Sequence, residues 1–293
     1  MKKRFFLLLA ALTALLTGCV TPLQPTETSA PTETAAPVTS TLNVWCFQAG
    51  KADAFLLWNE AGAVLIDTGE SGFGKTILAK LEELGIQRLE YLILTHFDKD
   101  HVGGAKKVLS GIPVGTILQS NCPKEGAEAY EKYAAALEGL GLEARTLREE
   151  LRFTLGDAVF TVDPPALERY AEDESNNSSL IVTVTHGANR LLFLGDAEDL
   201  RLAEFLAADP GRCAFVKLPH HGKYQKTLIT LLSAVKPARA LITSSEEEPE
   251  DPETLALLEE NGVEVFLTRT APVLVTSDGK TLDVRYDTAT DKE

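Results

Sequence analysis

The stretch Tyr91-Leu-Ile-Leu-Thr-His96-Phe-Asp98-Lys-Asp100-His101-Val-Gly-Gly104 constrains this chain more than any other part of it. An apolar run of strand character stops at four potential metal ligands within six residues, so the fold must deliver imidazoles and carboxylates to the end of a buried strand. Alternate residues on so tight a loop can converge on one or two divalent cations. The pair Gly103-Gly104 then lets the backbone turn closely into a following helix. Two further strand-like runs end in the same manner. Residues 191–194 stop at Gly195-Asp196-Ala197, and Phe215-Val-Lys-Leu stops at Pro219-His220-His221-Gly222. Four of the five histidines lie in the two histidine motifs, a grouping that core packing does not produce.

The amino end is a different kind of segment. Lys2-Lys3-Arg4 precedes the apolar run 5–16 and then Leu16-Thr17-Gly18-Cys19, an order that resembles a bacterial lipoprotein signal peptide over residues 1–18. The run is too short for a bilayer span. Cleavage before Cys19 makes that cysteine the expected lipid carrier and the membrane an expected partner, outside the cytoplasm. Residues 19–40, rich in Pro and Thr and without an apolar period, read as a disordered tether. One domain of residues 41–288 and a short tail, 289–293, complete the plan. With 44% hydrophobic residues, the chain can bury a substantial core.

Within that domain, strands are expected at 42–47, 54–58 and 63–66, a helix at 74–84, and a strand at 91–95 leading into the ligand loop. Hairpins are expected around Gly156-Asp157 and around Gly187-Ala-Asn189. Helices are expected near 197–208, 226–234 and 252–261. Two β-rich halves, each finished by helices, predict two facing sheets with helices outside. His186, just before a hairpin turn, reads as an exposed turn residue. Cys46, Cys122 and Cys213 show no zinc-thiolate spacing; Cys46 and Cys213 lie in apolar runs and read as buried free thiols.

Net charge limits the partners. The chain carries −15, and removing Lys2, Lys3 and Arg4 with the leader makes it −18. A long nucleic acid is disfavoured unless cations and a local lysine cluster reverse the field at the site.

At this point the motifs, taken together, resemble the metallo-β-lactamase superfamily, and within it the hydrolase-like domain of ComEC-type competence proteins, over about residues 42–286. Gln48-Ala-Gly50-Lys-Ala-Asp53-Ala54 is similar to that group's glycine-rich turn, and Leu65-Ile66-Asp67-Thr68-Gly69 to its Asp-Thr-Gly loop. Asn176-Asn177-Ser178-Ser179-Leu180, Gly195-Asp196-Ala197 and His220-His221-Gly222 follow in the same order. The resemblance implies an α/β fold, the four-layer αββα sandwich. It implies two divalent metal ions: His96 and Asp98 on the first, Asp100, His101 and His221 on the second, and Asp196 bridging. Asp67 is implied to brace the metal loop. His220 is placed beside the ligands, with the reverse assignment of His220 and His221 left open.

Asp98 stands where many members carry a second histidine, and no mid-chain histidine supplies a further ligand. The ligand set is therefore rich in carboxylate, which makes manganese a competitor to zinc. The implied activity is a metal-dependent hydrolase acting on a phosphodiester, with Asp100, Asn177 and Ser178 at the reacting centre and Lys223 and Tyr224 holding substrate. Three alternatives stand beside it: a non-catalytic lipoprotein binding DNA or wall polymer, a lactone or phosphocholine ester hydrolase, and a nucleotide hydrolase. The last rests on Gly69-Glu-Ser-Gly-Phe-Gly74-Lys75-Thr76 matching G-x-x-x-x-G-K-T. Export and a strand-rich beginning without an alternating βαβ plan speak against it.

Overall fold

The computed structural model describes residues 40–288 apart from residue 173. The expected leader, Cys19, the tether and the tail lie outside the described residues.

The first half of the fold runs β1 (Leu42–Cys46), β2 (Phe55–Asn59), β3 (Gly62–Ile66), α1 (Gly74–Glu83), β4 (Leu89–Leu94), α2 (Lys99–Val102), α3 (Ala105–Leu109), β5 (Val114–Gln119), α4 (Glu128–Leu140) and β6 (Ala144–Thr146). The second runs β7 (Leu151–Leu155), β8 (Ala158–Asp163), α5 (Glu174–Asn177), β9 (Ile181–His186), β10 (Asn189–Phe193), α6 (Asp199–Ala207), β11 (Phe215–Lys217), α7 (Thr227–Val235), β12 (Arg239–Ile242), α8 (Pro252–Glu260) and β13 (Glu264–Leu267). The hairpin of β14 (Val273–Ser277) and β15 (Leu282–Tyr286) returns to the first sheet beside β1, with Leu42 opposite Ser277. The sheet orders are β15-β14-β1-β2-β3-β4-β5-β6 and β13-β12-β11-β10-β9-β8-β7.

The strands alternate between two apolar environments. Leu57, Val64 and Ile66 point inward to meet Val182, Val184 and Phe193 of the other sheet. Their neighbours Leu56 and Leu65 point outward beneath Ile77, Leu81 and Val108 of α1 and α3. On the other side, Leu192 and Val216 lie beneath Leu202, Leu231 and Leu258 of α6, α7 and α8. Both faces of each sheet are therefore buried, which explains the nearly continuous apolar runs. The architecture is the four-layer αββα sandwich.

The motif-based reading placed a helix after Gly104, where α3 folds, but named no element where β5, α4 and β6 follow. Of the thirteen residues of α4 only Tyr133 and Ala136 are buried, which leaves a faint apolar stripe. The beginning is also more parallel than expected, because β3, β4, β5 and β6 form a parallel ladder. In both sheets the parallel strands β3, β4, β10, β11 and β12 run directly into Asp67, His96, Asp196, His220-His221 and Thr243, the edge where such sheets place ligands.

Candidate metal centre

The loop after β4 is fixed before any ligand reaches it. Asp67 sits at φ 56°, a left-handed conformation rare for a side-chain-bearing residue. Its carboxylate accepts from the Thr95 amide at 2.8 Å, from Thr95 Oγ1 at 2.7 Å and from His101 Nδ1 at 2.8 Å. The Thr68 amide donates to the His101 carbonyl at 2.7 Å. Gly104 is required because a Cβ there would collide with the Thr68 carbonyl. His220 and His221 are also left-handed, at φ 46° and 54°, and such strain persists where surrounding structure over-determines it.

Four side chains, Asp100, His101, Asp196 and His221, bring ligand atoms within 4.8 Å of one another. His101 Nε2 and His221 Nε2 each lie 3.2 Å from Asp196 Oδ2, and His221 Nε2 lies 3.4 Å from Asp100 Oδ2. The His96 ring lies against His101 with centroids 4.1 Å apart and planes tilted by 51°, and its Nε2 is 4.0 Å from Asp98 Oδ1. His221 is thus the member of the pair that enters the cluster. His220 turns to Glu198, with Nδ1 2.6 Å from Oε1.

The hydrogen bonds determine which ring nitrogens are free. Carboxylates only accept, so His101 Nδ1 must donate to Asp67. Thr243 Oγ1 gives its one proton to Asp53 Oδ1 at 2.7 Å and so accepts from His221 Nδ1 at 2.9 Å. Thr95 Oγ1 likewise gives its proton to Asp67, leaving it an acceptor for His96 Nδ1 at 3.2 Å. All three rings therefore present Nε2 to the centre. His96 Nε2, His101 Nε2, His221 Nε2 and Asp196 Oδ1 are buried without a hydrogen-bond partner, an expense for which a bound cation is the ordinary explanation. The donor set of imidazoles and carboxylates fits one.

Beneath the centre lies a buried ion pair. Lys217, fully buried on β11, contacts Asp53, donates to the Gly195 carbonyl at 3.0 Å and comes within 3.7 Å of Asp196 Oδ1. Burial disfavours its charge, but Asp53 and Asp196 hold its pKa above the ordinary value. Burial and the neighbouring His101 take His96 down to about 4. Burial also opposes charge on His101 and His221, yet Asp196 together with Asp67 for the first, and with Asp100 and Asp53 for the second, outweighs it and both are raised. The same two rings hold Asp196 well below the usual carboxylate range against its burial.

Several expectations are corrected. Asn177 and Ser178 turn inward: Asn177 donates to the Glu172 carbonyl and accepts from the Arg201 amide, both at 3.0 Å, capping the first turn of α6, while Ser178 Oγ donates to the Ser175 carbonyl at 2.6 Å. Ser175 is the residue of this segment that reaches Asp98. The exposed Lys223 pairs with Glu198 at 3.0 Å and the Tyr224 backbone amide donates to Asp251, contacts that leave their substrate role as an expectation. His186 is buried, its Nδ1 2.8 Å from Ser277 Oγ, because the β14–β15 hairpin packs over the β9–β10 turn. Cys46 and Cys213 are buried free thiols as expected, Cys122 is also free, and burial raises Cys213 to about 12.

The loop matching the nucleotide motif does sit in a parallel β3–α1–β4 crossover, contrary to the expectation. However, the amides of Gly69, Phe73, Lys75 and Thr76 already donate to Asp53, Glu70, Gly72 and Phe73 carbonyls. Amides so engaged form no cradle for an anion.

Comparison with known families agrees with this geometry: the profile of the Metallo-beta-lactamase superfamily matches residues 48–243. The chain belongs to the metallo-beta-lactamase superfamily. Among relatives of this metallo-beta-lactamase chain, Recombination protein 2 of Haemophilus influenzae is 30% identical over 217 residues, 71% of this chain and 25% of the relative. ComE operon protein 3 of Bacillus subtilis is 27% identical over 232 residues, 72% of this chain and 29% of the relative. The chain thus spans between a quarter and a third of the length of these two relatives. The metallo-beta-lactamase fold protein YhfI of Bacillus subtilis superposes with a TM-score of 0.51 at 13% identity, covering 78% of this chain and 96% of that one.

Proposed function

We propose that the chain is a two-metal phosphodiester hydrolase. The observation that carries this reading is the set of buried, unpartnered Nε2 and Oδ1 atoms converging around Asp196 at an open edge of the sheets. His96 and Asp98 would hold one zinc or manganese ion and Asp100, His101 and His221 the other, with Asp196 available to both. When bound, the two cations lower the pKa of water towards about 7 and neutralise charge on substrate oxygens.

The chain's own residues do the rest. Asp67 and Thr243 fix the tautomers of His101 and His221, Thr95 does so for His96, and Lys217 with Asp53 anchors the floor. Ser175 donates to Asp98 and orients it. Water's oxygen bonds to phosphorus, the ester P–O bond breaks, and the leaving oxygen takes a proton. Similarity to proteins named for recombination and competence motivates the phosphodiester. The leader motivates a location outside the cytoplasmic membrane, with lipid on Cys19.

Metal analysis of the purified full chain, with turnover of bis(p-nitrophenyl) phosphate and of a neutral lactone, tests the reading. About two equivalents of metal and phosphodiester turnover lost in His101→Ala are expected. A folded, metal-free protein overturns the metal assignment, and lactone turnover alone overturns the substrate.

A further inference from the structure

Resting on the phosphodiesterase reading, we infer that a lysine-walled cleft beside Asp98 binds the backbone of a phosphodiester-linked polymer. Two clefts meet at the rim of the centre. One, of about 610 Å³, is lined among others by Lys51, Phe97, Asp98, Lys99, Lys124 and Lys132. The other, of about 450 Å³, is lined by Lys124 and Arg169 together with Glu125, Glu168 and Glu174. Lys124 belongs to both, and Ser175, which donates to Asp98, lines the second. A substrate lying across Asp98 therefore extends away from the reacting centre into the first cleft rather than ending at it.

The chemistry of the first wall is unlike that of the chain. In a molecule of net charge −15, four lysines gather on one cleft against Glu70, Glu128 and Glu248, once Asp98 and Asp100 are given to cations. The pairs Lys51–Glu248 and Lys99–Glu70, at 3.5 and 3.2 Å, are solvent-exposed, as is Lys132–Glu128 at 2.6 Å. Such pairs exchange readily for a stronger anion. Lys124 Nζ lies 2.5 Å from Asp98 Oδ1; a cation on Asp98 competes for that carboxylate and releases the ammonium to a phosphoryl oxygen. The first turn of α4, which no side chain caps, opens on the same cleft through Ala127, Glu128 and Ala129. The volume suits a ligand larger than one phosphate, and a neutral lactone has no use for the lysines. Each cleft carries three glutamates, but the first sets four lysines against them and the second only Lys124 and Arg169, so the backbone lies on the Lys51–Lys132 side.

Two sources share this chemistry, nucleic acid and glycerol-phosphate wall polymer. Binding of a labelled phosphorothioate oligothymidylate and of a labelled glycerol-phosphate oligomer to the metal-loaded full chain, followed by anisotropy across a salt series, separates them. With the preferred polymer, Lys124→Gln and Lys132→Gln are each expected to weaken binding roughly fivefold and to flatten the log-affinity against log-salt slope by roughly 0.7 to 1. Lys280→Gln, on the β14–β15 turn, is expected to change neither. In turnover Lys132→Gln, which does not touch Asp98, raises KM for the polymer and leaves bis(p-nitrophenyl) phosphate hydrolysis unaltered. Unchanged affinity and slope in both cleft variants overturn the inference while leaving the hydrolase reading intact. Lysine-dependent binding without any hydrolysis does the reverse.

Discussion

The floor and the rim of the metal centre are built on opposite plans. On the floor, His101, Asp67 and Lys217 have side chains with no exposure, and Asp196 has 4%. At the rim, Asp98 and Asp100 expose 26% and 20%, and Lys124 exposes 42%. A charge on the floor cannot borrow water, so each has a fixed protein partner: Asp67 for His101, Asp53 for Lys217, both rings for Asp196. At the rim, water can replace Lys124 or Ser175 at little cost. Geometry is therefore committed on the floor and adjustable at the rim, where substrate must enter.

Substitutions on the two sides should separate them. Asp196→Ala removes the carboxylate that His101 and His221 both face at 3.2 Å and is expected to lower turnover on the order of a thousandfold, with loss of metal in mass spectrometry. A full metal complement in that variant would show that the floor does not organise the rim. Lys217→Met leaves the buried Asp53 charge without its ammonium, with Thr243 still donating to it, and a destabilisation of about 3–5 kcal/mol is expected in chemical denaturation. No rim lysine should approach that value, because exposed pairs contribute about 0–1 kcal/mol.

Asp67→Asn should cost about 10- to 100-fold in metal affinity through the misdirected His101 ring, measured by chelator competition. Equal loss in Ser175→Ala would erase the distinction between floor and rim. A last expectation concerns pH. His101 and His221 have raised pKa values without a cation, so they hold protons that a metal must displace. Affinity should then fall with falling pH, about tenfold per unit for each proton displaced, until the rings are neutral at high pH. Acid-independent affinity would mean that the rings bind no metal.

Much of the candidate site could be read along the chain because its residues follow strand ends. His96, Asp98, Asp100, His101, Asp196 and His221 follow apolar runs whose period and length announce a buried strand, and the topology then gathers their ends on one edge. Lys217 was visible only as a charge inside the run Phe215-Val-Lys-Leu, an anomaly for a strand buried on both faces. Its partner Asp53 is 164 positions away, so no local pattern joins them. Asn177 and Ser178 sit in a polar run, and only packing decided that their atoms serve α6 and α5 while Ser175 faces Asp98. His186 was misplaced because the hairpin covering it arrives 91 positions later.

The sequence by itself determined the residue types of the centre, the alternation of strands and helices, and hence the superfamily, because periodicity and ligand chemistry are local properties. Tertiary structure alone decided that His221 rather than His220 enters the cluster, that Lys217 neutralises its floor, and that four scattered lysines share one cleft in an acidic chain. Those outcomes depend on which strand ends and loops are brought together through long-range pairing, and electrostatic energy depends on distance in space and on exclusion of water, neither of which is written in neighbouring residues.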